Sequence, residues 1–81
     1  MKFPAETSDD VMNRLRRVEG QIRGIQRLVE EQAECRDIVT QLTAARAALD
    51  RVGFKLMAAA MANQEPDTDI AELEKLFLKL S

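Results

Sequence analysis

The sequence predicts an all-α fold: two long helices forming an antiparallel hairpin, a short third helix, and a second copy of the chain packed against the first. Three observations carry this. The 81 residues are 46% hydrophobic and 32% charged, with three Gly and two Pro, and a chain this rich in Ala, Leu, Glu and Arg has the profile of long helices. Its apolar residues recur at alternating spacings of four and three, the period of a packed helical seam. It has no Trp, no Tyr, three Phe and one Cys, so neither large aromatic side chains nor an internal disulfide can anchor a compact monomer. A single domain over residues 1–81 follows from the length, and its stability calls for a partner chain.

The first helix is expected over about residues 7–32. Thr7 or Ser8 can cap it, and Asp9 and Asp10 suit the positive end of the helix dipole. Val11, Leu15, Val18, Ile22, Ile25 and Val29 then fall on one narrow stripe. Gly20 and Gly24 lie opposite, each at a cost of roughly 1 kcal/mol relative to Ala in a helix interior. They are either tolerated surface glycines or a point where another backbone or DNA comes close.

The second helix is expected over about 34–62. Ile38, Leu42, Ala45, Leu49, Val52 and Leu56 repeat the same stripe, and Val39, Phe54, Met57 and Met61 form a second apolar set to one side. One surface can face the first helix; the other needs a different cover. Pro66 then breaks the chain, Asp67, Thr68 and Asp69 offer caps, and Ile70, Leu73, Phe77 and Leu80 give a third helix over about 68–80 one apolar face. The first two helices are each roughly 36 to 44 Å long at the α-helical rise. Two such hairpins side by side make an antiparallel four-helix bundle, so at least a dimer is expected.

Several functions are disfavoured. The chain has no His, which removes the commonest general base and metal ligand. It has no nucleophile–His pair, no phosphate-cradling Gly loop and no nucleotide fingerprint, so no enzyme and no cofactor are expected. No apolar run approaches the ~18 residues of a membrane span, and the N-terminal residues carry no signal-peptide stretch. A cytoplasmic protein with no membrane partner is the expectation.

Charge is unevenly spread. The net charge is −2, yet residues 11–29 carry +4, residues 32–64 carry +1, and residues 65–81 carry −3. For phosphate binding the local patch counts, not the total. Arg14, Arg17 and Gln21 flank one side of the first stripe; Arg16, Arg23 and Arg27 flank the other. Arg51 and Lys55 share a face of the second helix with Ala44, Ala48 and Ala58. These charges either coat a solvated bundle surface or, doubled by dimer symmetry, track a DNA backbone. The second reading gains from the shortage of Glu partners at helical spacing on the first helix.

Cys35 begins the second helix, where the dipole favours a thiolate; it reads either as a small buried hydrophobe or as a reactive thiol. Cys35, Gly53, Ala60 and Gln64 fall within about 40° of one line on the helix. Cys35 and Ala60 are nevertheless on the order of 38 Å apart along it. They meet only if a second chain runs antiparallel, which makes Gly53, Ala60 and Gln64 a candidate inter-subunit sensor pocket for Cys35.

The tract Arg14-Leu15-Arg16-Arg17-Val18-Glu19-Gly20-Gln21-Ile22-Arg23-Gly24-Ile25 resembles the first-helix signature of the CsoR/RcnR family of small all-helical bacterial repressors. Cys35 with Ile38-Val39-Thr40-Gln41-Leu42-Thr43-Ala44-Ala45 matches the family's second helix, and Glu72-Leu73-Glu74-Lys75-Leu76-Phe77 its third. The resemblance covers roughly Asp10 to Ser81. It implies a three-helix protomer, a four-helix-bundle dimer, a tetramer built from two dimers, and double-stranded operator DNA as partner. It also implies a DNA face on the basic helix surface, with Arg14 and Arg51 at the family's contacting positions and Lys55, Arg16, Arg17 and Gln21 as further carry-overs.

The family senses metals, formaldehyde or reactive sulfur. Its metal sensors pair the thiol at position 35 with His at position 60 and Cys or His at position 64; this chain has Ala60 and Gln64. Cys35 alone makes neither a trigonal copper(I) site nor a nickel site, so no metal is expected. The segment Asp50-Arg51-Val52-Gly53-Phe54 is similar to the sulfur-responsive branch, but Gln64 replaces that branch's second Cys. The formaldehyde branch uses an N-terminal amine, often on Pro, and here Pro4 stands inside the N-terminus. The resemblance therefore implies a repressor released by modification of Cys35 with persulfide or another electrophile. The alternatives are a formaldehyde-responsive repressor, a DNA-binding member without a Cys-based inducer, and a helical assembly module without DNA binding.

Overall fold

The computed structural model describes residues 2–63 and 69–81, and these form three α-helices with no strand among them. They are α1 (Ala5–Glu30), α2 (Cys35–Ala62) and α3 (Ile70–Leu80).

α1 begins earlier than Thr7 or Ser8. Pro4 is its N-cap, with φ −59° and ψ 154°, and no side chain caps the helix. The Ser8 N–H donates to the Pro4 carbonyl at 3.1 Å. Proline's fixed φ sets up this entry without a polar cap, which leaves Thr7 and Ser8 inside the first turns.

α1 ends without glycine. Gln32 takes a left-handed conformation, φ 56°. The Ala33 N–H donates to the Leu28 carbonyl at 2.9 Å and the Gln32 N–H to that of Val29 at 3.1 Å, the paired bonds of a Schellman turn. This turn stops the helix two residues short of the expected end. The Glu34 carbonyl then accepts from Asp37 and Ile38 at 3.0 and 3.2 Å and opens α2. At α3 the Asp69 side chain accepts from the Glu72 N–H at 3.2 Å, one half of a capping box. The other proposed caps, Asp67 and Thr68, lie outside the described residues, as do Pro66 and Gln64.

α2 packs on α1 along one side and on α3 near its C-terminal end, while α1 and α3 do not meet. Val11, Val18, Ala45 and Val52 are buried in the hairpin. Met57, Ala60 and Leu73 form a second buried cluster beneath α3, with Leu76 packed against it. Each large apolar side chain so removed from water stabilises the fold by about 1.5–3 kcal/mol. Gly53 is where α3 closes on α2: a β-carbon there would stand 3.1 Å from Leu80 Cδ2. Gly20 and Gly24 face open space.

The two apolar stripes are only half used. Ile22, Val29, Leu42 and Leu49 keep 48, 56, 51 and 50% of their surface exposed. An antiparallel pair covers one edge of each stripe and leaves the other edge bare. The chain extends 53 × 24 × 13 Å with a radius of gyration of 16.1 Å, against about 12 Å for a compact domain of this length. Among the described residues no polar side chain is buried.

Candidate nucleic-acid interface

The basic residues converge where the start of α1 meets the end of α2. Asp10 is the meeting point. Its Oδ2 accepts from Lys55 Nζ at 2.7 Å and from Arg14 Nε at 3.3 Å. The Arg14 bond is a one-turn i,i+4 pair; the Lys55 bond crosses between helices. The hydrogen bond from Lys55, joined by that from Arg14 and only partly opposed by desolvation, holds the Asp10 carboxyl below its ordinary pKa.

Arg51 lies one turn before Lys55, on the same side of α2, and is exposed. Arg17 and Gln21 follow Arg14 along its flank of α1 and are also exposed. Arg14, Arg17, Gln21, Arg51 and Lys55 thus border the same side of the α1–α2 seam. Arg16 stands apart: it is about 200° around the helix from Arg14, and its Nη1 donates to Asn13 Oδ1 at 3.3 Å. Arg23 pairs with Glu19 at 3.7 Å on the exposed surface. In the sequence Asp10 reads only as a partner of the helix dipole. The spacing Asp10 to Arg14 was the available signal, whereas Lys55 reaches Asp10 only through the fold.

Cys35 is the first residue of α2 and is exposed with a free thiol, which corrects its reading as a small buried hydrophobe. The Schellman turn delivers the chain to α2 with this position outside the hairpin core. Gly53 and Ala60 are buried under α3, and Gln64 lies outside the described residues. Within one chain the length of α2 separates Cys35 from Ala60. Beside Ala60 a groove of 290 Å³ is lined by Met57, Met61, Ile70, Leu73, Glu74 and Phe77. Met57 and Met61 come from the second apolar set of α2, the set that needed a cover other than α1.

Among the described residues no group of three or more His, Cys, Asp or Glu is placed to hold a metal. The whole chain offers one thiol and no imidazole, and this donor set does not fit a closed copper(I) or nickel site.

A family model described as "Metal-sensitive transcriptional repressor" matches residues 7–79. The chain belongs to this family. The metal-sensitive repressors regulate transcription and are not enzymes, so this chain is placed among DNA-acting regulators rather than catalysts. It is 35% identical over 85 residues to the copper-sensing transcriptional repressor CsoR of Bacillus subtilis, covering 95% of this chain and 84% of that one. It is 46% identical over 52 residues to the copper-sensing transcriptional repressor RicR of Mycobacterium tuberculosis, covering 64% of this chain and 54% of that one. Both relatives sense copper by name, while this family member has Ala60 and Gln64 beside a single Cys. None of its helices is long and apolar enough to cross a membrane among the described residues.

Proposed function

We propose that this chain is a cytoplasmic, single-domain repressor that binds double-stranded operator DNA and is released by modification of Cys35, not by copper or nickel. The observation that carries the DNA half is the convergence of Arg14 and Lys55, one from each long helix, on one point, with Arg51 exposed one helical turn before Lys55. Phosphates are bound by such positioned cations. Arg17 and Gln21 extend the face, and Arg16 contributes only where DNA wraps past the first flank.

The inducer half rests on donor chemistry. An exposed thiol at the first position of α2 can attack the sulfane sulfur of a polysulfide. An S–S bond forms at Cys35, and the shortened polysulfide leaves with the electron pair. The product is a persulfide on a single Cys, which needs no second thiol. To lower DNA affinity the modification must favour one of two arrangements of the assembly. The half-exposed stripe of Ile22, Val29, Leu42 and Leu49 supports a homodimer as a four-helix bundle, and two dimers make the tetramer. In that bundle Cys35 of one protomer approaches the C-terminal end of its partner's α2, where Gly53 and Ala60 are covered by α3 of their own chain, so the inter-subunit pocket expected from these residues requires α3 to move aside.

Fluorescence anisotropy of the reduced protein on its own upstream DNA, before and after polysulfide, tests this. Tight binding that polysulfide abolishes in the native chain, but not in Cys35→Ser, supports the reading. Binding that polysulfide leaves unchanged discards sulfur sensing and makes aldehydes the next inducers to test. Absence of binding removes the repressor reading in favour of a helical assembly module.

A further inference from the structure

We propose that Asp10 is an internal stand-in for a DNA phosphate: its carboxylate holds one cation from each long helix, and DNA binds by exchanging a backbone phosphate for that carboxylate. This rests on the DNA-binding reading of the basic face and deepens it by naming the residue that sets the affinity of that face.

Both cations address the same oxygen. Lys55 Nζ and Arg14 Nε lie 2.7 and 3.3 Å from Asp10 Oδ2. Among the described residues the Lys55 pair is the one ion pair that joins two helices. A carboxylate and a phosphate oxygen accept from Arg and Lys with the same charge-assisted geometry, so two cations converging on one anionic oxygen are already arranged for a phosphate.

The arrangement is open to exchange. The side chains of Asp10, Arg14 and Lys55 keep 39, 40 and 44% of their surface exposed. Ion pairs this exposed are weak and readily opened. Asp10 therefore competes with DNA without excluding it. The carboxylate leaves the two cations with one net positive charge, so binding is weaker than the cation count alone would give. Phosphate binding also displaces a protein carboxylate, whose own negative charge then stands near the DNA. A plain inter-helix clamp would behave differently: its loss would leave DNA affinity equal or reduced.

The test compares the native chain with Asp10→Asn, with Asp9→Asn as a neighbouring charge control, and with Asp10→Asn in an Arg14→Gln/Lys55→Met background. Anisotropy is read against a labelled duplex from upstream of its own gene and an unrelated duplex, over a salt series, with circular dichroism to check the fold. Asp10→Asn should bind both duplexes about two- to fivefold more tightly per engaged protomer, the scale of one exposed ion pair that no longer has to open. Its affinity should also fall more steeply with salt. Asp9→Asn should give a smaller gain, and the gain should vanish when both cations are removed. In the native chain, the carbon-13 signal of the Asp10 carboxyl should shift as duplex is added, a readout that needs no variant.

An Asp10→Asn affinity at or below the native value, a gain matched by Asp9→Asn, or an Asp10 signal that DNA leaves unmoved overturns the proposal while the DNA-binding reading stands. Failure of every chain to bind either duplex overturns both.

Discussion

Leu80 lies over the bare backbone of Gly53, so that a β-carbon on Gly53 would stand 3.1 Å from Leu80 Cδ2 and 3.4 Å from its Cδ1. The obstructing atoms are the tip of a flexible side chain, and Leu80 is itself exposed. A small displacement of Leu80 relieves the contact, while Ala in place of Gly within a helix contributes up to about 1 kcal/mol. Gly53→Ala should therefore stabilise the protein by roughly 0.5 kcal/mol once the displacement is offset. Gly53→Phe, too large for the gap, should detach α3 and expose Met57 and Leu73. Thermal melting and amide exchange along α3 distinguish the two outcomes.

Gln32 occupies a backbone region that suits glycine, with φ 56°. The left-handed conformation costs a residue bearing a β-carbon roughly 1–2 kcal/mol, part of which a more flexible unfolded chain gives back. Gln32→Gly should raise the unfolding free energy by about 0.5–1 kcal/mol, read as a higher urea midpoint with unchanged slope. A lower midpoint would mean that the Gln32 side chain supports the turn.

Leu42 and Leu49 stand half bare on the outer edge of the α2 stripe. Replacing both with Glu places charges where a second copy would pack, and like charges brought into an apolar seam are strongly disfavoured. Sedimentation should show the double variant as the 9.1 kDa protomer, with the native chain sedimenting as a larger species. Identical profiles would assign the exposed stripe to something other than self-association.

The Asp10 ion pairs set a pH dependence with a defined sign. Lys55, with Arg14, holds the Asp10 pKa below its ordinary 3.8 in the folded chain. The stabilisation is fully present above pH 3.8 and is lost as pH falls through the lower folded value. Melting curves of the native chain and Asp10→Asn should differ at neutral pH and converge in acid. A constant gap down to the acid limit would show that Asp10 acts through something other than its charge.

Much of this was legible in the sequence, and the limits have physical causes. The helical period placed α2 and α3 to within about two residues of their observed bounds, because Pro66 and the polar cap candidates punctuate a strong apolar pattern. α1 was harder. Thr7 and Ser8 have good capping chemistry, but the Pro4 carbonyl starts the helix first, and no glycine marks the turn at Gln32. The stripes were visible, yet their division was not: Val18 is buried and Ile22 half bare, a difference set by how the two helices lean together. Arg14, Arg51 and Lys55 carried a signal through residue type and resemblance. The meeting of Arg14 and Lys55 on Asp10 needed the hairpin itself, since the two cations are 41 residues apart in sequence. The exposure of Cys35 likewise depends on the turn that precedes it.

The hairpin interior, with no polar side chain buried in it, has a further consequence. A seam of repeating four-and-three spacing is self-similar: sliding one helix past the other by seven residues again sets apolar rows against each other. A polar group in such a seam would normally forbid the slip. Here the alignment is set from outside, by the four-residue link Glu31–Glu34 at one end of the hairpin, while the exposed Lys55–Asp10 bond at the other adds little to it. The fold is indexed like a vernier set from one end, and the length of that link helps select one of several nearly equivalent alignments.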